Sequence, residues 1–513
     1  MSKRKHAIEA YFQSGARMHA GGRLAEAEQV YRQVLAEAPR HADSLHMLGL
    51  IASQCGQPEA ALACIDQAIA IRPTAAIFHV NRAGALLAMR RLDDALAACQ
   101  TALRLQRSSA EAFQVMGHVL SDLGRPEEAL AAYRDALRHR PNLPDLHNNI
   151  GLVLRQMDRL EEAATALAEA VRRAPDDAQA QGNLAGVLKE LGRVAEAEEC
   201  YRAALRRHPQ DPVLHFNLGI VLLLRGAFAA GWEENEWRFK AGATYVPQSD
   251  KPRWAGEALA GRTLLIRAEQ GLGDTIQFCR YLSPLSARGQ VLFEAQPGLR
   301  HLLGGLLDPS RIVEVGAALP AFDIWCPLLS LPRLLAIEPP PPPYLAADAG
   351  RVGAWRQRIG MRGRRIGIAW QGNPNAAAER GRSIPLHEFL PLAQVPGVRL
   401  ISLQKHHGLE QLASVPPGLT VETLGEGFDA GPDAFIDTAA VMQCLDMVIT
   451  SDTSVAHLAG ALGRPVWLAL QRVPDWRWLL EGEDCAWYPT MRVFRQTRRG
   501  DWGGVFARMA ELL

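Results

Sequence analysis

The stretch that decides the fold of the second half of the chain is Val448-Ile449-Thr450-Ser451-Asp452-Thr453-Ser454-Val455-Ala456-His457. It predicts a buried strand, a short polar loop and a helix, and the apolar run after Gly463 predicts a further strand. Asp452, Thr453 and Ser454 stand where the helix should begin, and such residues make good N-caps. Helix N-termini attract anions, and ligands of parallel α/β sheets lie at the carboxyl ends of strands. We therefore expect this loop to bind a phosphate group.

The bulk composition is that of an ordinary globular protein with several domains. The chain has 513 residues, of which 48% are apolar, and its net charge is +1. This balance predicts neither nucleic acid nor an anionic membrane as a partner. No apolar run approaches the roughly 20 residues of a membrane-spanning helix. The eight cysteines are scattered without a CxxC pair, which is typical of a cytoplasmic protein without a zinc site. We expect no metal.

The N-terminal half repeats itself every 34 residues. Prolines and alanines each keep this period, at Pro39, Pro73, Pro141, Pro175 and Pro209 and at Ala27, Ala61, Ala95, Ala129, Ala163 and Ala197. The pattern resembles the tetratricopeptide repeat, in which small residues let paired helices approach and proline ends the second helix. We expect six units between residues 8 and 211. A divergent seventh, in which Gly231–Glu233 and Trp237–Phe239 replace the usual second helix, would complete a solenoid over residues 1–245.

One phase of the repeat carries asparagine, at Asn81, Asn149, Asn183 and Asn217. These residues lie on the first helix of their units, which lines the concave face of this kind of solenoid. An amide both donates and accepts, so a row of amides can bind a peptide backbone whatever its side chains. The row resembles the asparagine ladder of O-linked N-acetylglucosamine transferases. The alternative is that asparagine simply fills a polar slot of the repeat.

The period stops near residue 245, and alternating strands and helices follow. Thr263–Arg267 and Val291–Glu294 predict the first strands of one lobe, and Arg365–Trp370 opens a second set. Between them, Pro339–Pro343 is a stiff extended run that suits a linker. We expect an α + α/β protein: the solenoid, an N-terminal lobe over 246–343 and a C-terminal lobe over 344–513, arranged as a GT-B-like pair of Rossmann-type lobes around a cleft.

In the first lobe, the turn Gly271-Leu272-Gly273-Asp274 follows a strand and opens a helix. Gly271 and Gly273 let the backbone approach a ligand, and Asp274 is placed to take a proton from an attacking hydroxyl. The alternative is a tight turn in which the aspartate caps the helix.

In the second lobe, four polar residues follow predicted strands: Gln371, Asn373, Arg382 and Gln404. The first two suit a sugar- or phosphate-facing loop, Arg382 suits a diphosphate leaving group, and Gln404 stands where a base or ribose can lie. The alternatives are an exposed basic loop and an ordinary strand-end residue. His457 follows Ser454 on one helical face and can reach a phosphate, although a lone helical histidine is more often structural. The aromatic segment Asp475–Trp478 is interpreted as core packing and lobe closure.

Residues 263–513 resemble the lipopolysaccharide heptosyltransferases, a glycosyltransferase family 9-like group. The Gly271–Asp274 turn and the Ser451–Ala459 helix start carry the resemblance. It implies a GT-B fold and an inverting, metal-independent transfer. Asp274 would be the base, Asp452, Thr453, Ser454 and His457 would bind the diphosphate, and Arg382 would stabilise its departure. The chain has Thr453-Ser454 where that family usually has Thr-Gly, and its first lobe is short.

Together with the repeats, the chain resembles bacterial tetratricopeptide-containing protein glycosyltransferases, including those that modify flagellin. We therefore expect a cytoplasmic enzyme that moves a sugar from a nucleotide-sugar donor, which is a substrate rather than a cofactor. The expected acceptor is a hydroxyl of a protein held by the repeats, such as a flagellin-like protein. Two alternatives stay open. One is an interaction scaffold with an inactive transferase domain, and the other is a transferase acting on lipopolysaccharide or another small glycan.

Overall fold

A computed structural model describes residues 2–142, 144–244, 249–375 and 381–513. The predicted α + α/β class is confirmed, because helical repeats precede two parallel sheets. The chain divides into two compact units, Met1–Leu191 and Gly192–Leu513. The predicted domain boundary at 245/246 lies outside the described residues. The second unit contains the last three repeat helices as well as both sheets.

Within the described residues before the first strand there are fourteen α-helices. They are α1 (Ser2–Ala20), α2 (Leu24–Glu37), α3 (Ala42–Gln54), α4 (Pro58–Ile71), α5 (Ala76–Ala88), α6 (Leu92–Leu105), α7 (Ala110–Asp122), α8 (Pro126–His139), α9 (Pro144–Gln156), α10 (Leu160–Arg173), α11 (Ala178–Glu190), α12 (Val194–Arg207), α13 (Pro212–Leu224) and α14 (Phe228–Asn235). From α3 onward every odd-numbered helix begins 34 residues after the previous one, and from α2 onward so does every even-numbered helix. The period seen in the sequence is therefore the period of the helix pairs.

Glycines on the first helices let the partner helix approach. A Cβ on Gly117 of α7 would lie 2.5 Å from a ring carbon of Tyr133 on α8, and one on Gly151 of α9 would lie 2.5 Å from Leu167 on α10. Both distances are too short for a real contact, so these helix pairs require a residue without a side chain. The seventh pair keeps a second helix, α14, but shortens it to 8 residues and follows it with a 3-10 turn, Glu236–Arg238.

In the described parts of the chain, ten strands form two wholly parallel sheets. They are β1 (Leu264–Arg267), β2 (Val291–Ala295), β3 (Ile312–Glu314), β4 (Ile324–Pro327), β5 (Arg364–Ala369), β6 (Val398–Ser402), β7 (Val421–Glu422), β8 (Met447–Thr450), β9 (Val466–Leu470) and β10 (Met491–Arg495). The first sheet has the order β3-β2-β1-β4, and the second has β10-β9-β8-β5-β6-β7. Numbered from its own first strand, the second sheet has the doubly wound order 3-2-1-4-5-6, which changes direction between β5 and β8.

Helices cover both sheets. They are α15 (Leu272–Phe278), α16 (Leu282–Ser286), α17 (Arg300–Leu303), α18 (Leu331–Leu335), α19 (Ala349–Ile359), α20 (Leu390–Ala393), α21 (Ile436–Cys444), α22 (Ser454–Ala461) and α23 (Trp502–Leu512). Ile366 and Ile368 of β5 and Trp370 directly after it are fully buried, and they pack with Phe389 and Phe506 from the covering segments. Strands buried on both faces are typical of parallel sheets. Among the described helices, none has both the length and the apolar character needed to cross a bilayer.

The end of α14 is joined to the loop after β1 by a buried ion pair. Arg238 donates from Nε and Nη2 to the two carboxylate oxygens of Glu269, both at 2.9 Å, and both side chains are fully buried. Trp232 of α14 also packs edge-on against Phe278 at the end of α15. The divergent last repeat therefore anchors Glu269, two residues before the Gly271–Asp274 turn.

Candidate active site

The loop after β1 holds Asp274 at the first turn of α15. Its Oδ2 accepts a hydrogen bond from the Gly271 N–H at 2.8 Å, so the aspartate does cap the turn. Its Oδ1 accepts from Arg477 Nη2, a residue of the other lobe. Burial raises the pKa of Asp274, and the Arg477 guanidinium opposes that shift. The side chain is 18% exposed.

The loop after β8 leads into α22, which begins at Ser454. Ser451 and Asp452 are buried, and Thr453 is the N-cap residue, but no side chain caps the helix. The Thr453 hydroxyl lies instead 3.4 Å from that of Thr450. Ser451 Oγ is fully buried without a hydrogen-bond partner in the described part of the chain. The first amides of α22 are therefore free of the side-chain cap that the sequence predicts.

The two loops meet at Gly273. A Cβ on this residue would lie 3.0 Å from Cδ2 of His457 and 3.5 Å from the Ser454 Cα, so the absence of a side chain lets α15 approach α22. The segments that carry the two predicted halves of the site, about 180 residues apart in the sequence, are thus in direct contact. This contact brings Asp274 next to the start of α22.

His457 is a packed residue. Its Nδ1 lies 3.0 Å from the Tyr488 hydroxyl, and its ring stacks on Trp478 with 5.1 Å between centroids. Burial lowers the pKa of His457 well below its usual value, and Arg477 lowers it further. The histidine is therefore neutral at pH 7. These contacts favour the interpretation of His457 as a structural residue over the interpretation that it binds phosphate directly.

Arg382 and Asp452 form an ion pair beside this helix start. Arg382 donates to Asp452 Oδ2 from Nε, at 2.9 Å, and from Nη2. Burial raises the pKa of Asp452, while the arginine lowers it. The arginine side chain remains 21% exposed. Arg382 is therefore near the predicted diphosphate site, but in this structure its charge is compensated by the aspartate.

Sequence reasoning missed Arg477. This residue, interpreted with its neighbours as core packing, donates to Asp274, to Asp475 Oδ1 at 2.8 Å and to Gln277 Oε1 at 2.7 Å. Burial would raise the pKa of Asp475, but Arg477 and Arg382 outweigh it and hold that pKa below its usual range. The available signal was a charged pair inside an aromatic segment, because buried charges require partners.

Three of the predicted donor-binding residues have local roles. Gln404 uses its whole amide, because Oε1 accepts from the Trp370 and Gln371 N–H groups and Nε2 donates to two carbonyls. Gln371 Oε1 accepts from Gln411 at 3.0 Å. Asn373 is exposed and accepts from the Asn375 N–H at 3.0 Å. Gln404 thus behaves as the strand-end residue of the alternative interpretation.

The asparagines of the first unit pair between successive repeats. Asn81 Nδ2 lies 2.6 Å from His46 Nε2, Asn149 Nδ2 lies 3.0 Å from His118 Nε2, and Asn183 donates to the Asn148 side chain at 2.9 Å. Asn81 also lines a surface cavity of about 510 Å³ together with apolar and small residues. Asn217 is half-buried on α13 in the second unit. Within the residues that the structure describes, no group of three or more His, Cys, Asp or Glu is placed to hold a metal ion.

Comparison with known proteins identifies the repeat. One model of the tetratricopeptide repeat matches residues 115–178, 148–212 and 183–231, and a second matches 18–80. Protein FlbA of Caulobacter vibrioides is 31% identical over 323 residues, which cover 57% of this chain and 53% of FlbA. The chain therefore spans about half the length of this relative.

Two solved structures resemble part of the chain. PilF of Pseudomonas aeruginosa is 20% identical with a TM-score of 0.38, over 41% of this chain and 96% of PilF. A tetratricopeptide-repeat protein of Thermus thermophilus is 23% identical with a TM-score of 0.32, over 35% of this chain and 98% of that protein. From the family models, the N-terminal half of this chain is built from tetratricopeptide repeats.

Proposed function

We propose that the chain is a glycosyltransferase that moves a sugar from a nucleotide-sugar donor to a hydroxyl of a protein recruited by the repeats. The observation that carries the proposal is the contact at Gly273, which joins an aspartate-bearing turn of one parallel sheet to an uncapped helix start of the other. The second turn lies at the direction change of a doubly wound sheet, where ligands of such sheets bind. The resemblance to heptosyltransferases assigns these same turns to base and donor.

In this mechanism the donor diphosphate lies at the start of α22, where Thr453 and Ser454 offer backbone N–H groups and the helix dipole favours negative charge. Asp274 takes the proton of the acceptor hydroxyl, whose oxygen attacks the anomeric carbon as the bond to the diphosphate breaks. Arg382 stabilises the charge that develops on the leaving group, which requires its guanidinium to be shared between Asp452 and the phosphate. The transfer is inverting and needs no metal.

The test is a panel of UDP-, GDP-, dTDP- and ADP-sugars, each incubated with the full chain. At least one donor should raise the melting temperature and release its nucleotide slowly, with water as the acceptor. The control is Glu481→Gln, which removes an exposed carboxylate from the second unit and should behave as the wild type. A chain that neither binds nor hydrolyses any donor in the panel is not a glycosyltransferase of this kind.

The role of the repeats needs its own experiment. Asn81→Ala and Asn149→Ala should reduce sugar transfer to protein, measured by mass spectrometry of candidate acceptors, while leaving donor hydrolysis unchanged. The reason is that these amides belong to the first unit and contribute only to acceptor binding. Loss of donor hydrolysis in these variants, or transfer to protein at the wild-type rate, would contradict that role.

One observation favours the scaffold alternative. Arg382 is paired with Asp452 and Arg477 with Asp274, so the charges that transfer would use already neutralise one another. An interaction scaffold with a transferase-like domain would be stabilised by such pairs. The same panel separates the two functions, because a scaffold releases no nucleotide from any donor.

A further inference from the structure

Arg477 lies where the loops of the two sheets meet. It belongs to the 3-10 turn Trp476–Trp478 after β9, and its side chain is 8% exposed. Its guanidinium donates in three directions: from Nη2 to Asp274, from Nε to Gln277 on α15, and from Nη1 to Asp475. A single cation thus joins the loop and helix after β1 to the loop after β9.

The position of this guanidinium is fixed by more than its ion pairs. The Arg477 N–H also donates to Asp475 Oδ1 at 3.1 Å, and its carbonyl accepts from Trp487 Nε1 at 2.9 Å. The guanidinium carbon lies 4.2 Å from the centroid of the Trp476 ring. Arginine stays charged at every relevant pH and presents its donors in a rigid planar fork. It therefore offers Asp274 a donor that is already in place.

Both carboxylate oxygens of Asp274 accept a hydrogen bond, but not all of their acceptor sites are used. Gly271 donates to Oδ2 and Arg477 to Oδ1, whereas an ionised carboxylate has about four acceptor sites. The remaining sites can receive a hydroxyl proton, and the two donors prevent the group from rotating. A base of fixed orientation is what transfer from a bound acceptor requires.

We propose that Arg477, held in place by Asp475, is the positioning residue of the site: it fixes the orientation of the Asp274 carboxylate in the cleft. This inference rests on the proposed function, in which Asp274 is the base. Arg477 touches Asp274 rather than the reacting atoms, so its effect on transfer passes through the aspartate. Asp475 in turn acts through Arg477.

The charges around Asp274 make this role measurable through the pKa of its carboxyl group. Arg477 and Asp475 face it from the turn after β9, and Arg382 from the segment after β5. The start of α22 adds Asp452 and the neutral His457. Arg477 favours the ionised form of Asp274 and Asp475 disfavours it, so removing the arginine raises the pKa of Asp274, and removing the Asp475 charge lowers it. Two neighbouring substitutions thus shift one titration in opposite directions.

The experiment uses full-length Arg477→Gln, Arg477→Lys and Asp475→Asn. The rate of nucleotide release is measured from pH 4 to pH 9 with whichever sugar nucleotide of the panel the wild type hydrolyses fastest. Arg477→Gln should lower kcat about 100-fold at pH 7, which is within the rate effect that a general base contributes. It should also move the acid limb of the pH–rate profile to higher pH. Asp475→Asn should move that limb to lower pH. Arg477→Lys keeps the positive charge but loses the planar set of guanidinium donors, so it should recover part of the rate that Arg477→Gln loses.

A purely structural role would not produce opposite shifts. The inference is overturned if Arg477→Gln keeps kcat within twofold of the wild type, or if both substitutions move the acid limb in the same direction.

A double-mutant cycle separates this inference from the proposed function. Asp274→Ala and Arg477→Gln are combined, and the melting temperatures of the four proteins are compared. A shift in the double variant that differs from the sum of the single shifts supports the contact, whatever reaction the protein performs. Additive shifts overturn the inference by themselves. Absence of nucleotide release from the wild type overturns the proposed function instead, and with it the assignment of Asp274 as a base.

Discussion

The row of asparagines in the first unit and the charged cleft of the second unit both hold half-buried or buried polar groups, but they are assembled differently. The asparagine pairs join neighbouring repeats, over 35 residues for Asn81 with His46 and over 31 for Asn149 with His118, and consist of neutral groups. The cleft pair of Arg477 with Asp274 joins segments 203 residues apart and consists of charges. Neutral hydrogen bonds contribute about 1 kcal/mol each, whereas breaking a buried ion pair costs about 3–5 kcal/mol. Loss of one asparagine pair should therefore cost less stability than loss of the Arg477–Asp274 pair.

The largest expected effect is that of Asp274→Asn. It should lower sugar transfer by roughly 10²–10⁴-fold, because the amide cannot accept the hydroxyl proton, while the melting-temperature shift produced by the donor stays close to that of the wild type. Asparagine keeps an oxygen that can accept from the Gly271 N–H, so the turn should survive. Nucleotide release and thermal shift measure the two quantities. Normal turnover in this variant would remove Asp274 from the mechanism.

A second prediction concerns the buried charge at Asp452. Arg382→Met should destabilise the second unit by about 3 kcal/mol at pH 7, because the substitution leaves a carboxylate that is 5% exposed without its cation. Burial already raises the pKa of Asp452, so in the variant the carboxyl becomes protonated as pH falls. The loss of stability should therefore be smaller at pH 5 than at pH 7, measured by thermal unfolding.

Its control is the double variant Arg382→Met/Asp452→Asn. This pair removes both charges, and most of the lost stability should return. If the double variant is as unstable as Arg382→Met alone, the side chains contribute by packing and the buried charge is not the cause.

The difference between the regions also explains what the sequence could predict. The repeated period applies to every helix pair at once, so the helix starts from Ala42 to Pro212 follow from the spacing of glycine, alanine and proline. The turn at Asp274 and the loop at Asp452 could be placed at strand ends by the same local patterns. Arg477 could not, because no local pattern says which distant carboxylate compensates a buried cation. The contacts of Gln404 could not be predicted for a related reason: its Oε1 accepts from the Trp370 and Gln371 N–H groups, which follow a different strand.

In the repeats, acidification should act through His46. Burial lowers the pKa of this histidine from 6.5 to about 4, so the folded state keeps it neutral where the unfolded chain binds a proton. The stability that depends on this group is complete above pH 6.5 and is lost as pH falls towards 4, by at most about 3 kcal/mol. His46→Gln should flatten this part of the stability profile, measured by circular dichroism during thermal unfolding at each pH.

The matched control for His46→Gln is His139→Gln, at an exposed histidine of α8, which should leave the acid sensitivity unchanged. Equal sensitivity in the wild type and in His46→Gln would show that other groups govern the acid response of the repeats.

The smallest expected effect compares one substitution at two glycines of the repeats. Gly84→Ala places a Cβ where no atom lies within 4 Å, and it should stabilise α5 by about 0.4–1 kcal/mol, because alanine is the better helix former and restricts the unfolded chain. Gly117→Ala gains the same propensity but places its Cβ 2.5 Å from the buried Tyr133, and overpacking costs about 1–3 kcal/mol. The two melting temperatures should therefore move in opposite directions. If both melting temperatures move in the same direction, the contact between α7 and α8 can accommodate an added methyl group. Close helix approach would then not explain why this position of the repeat carries glycine.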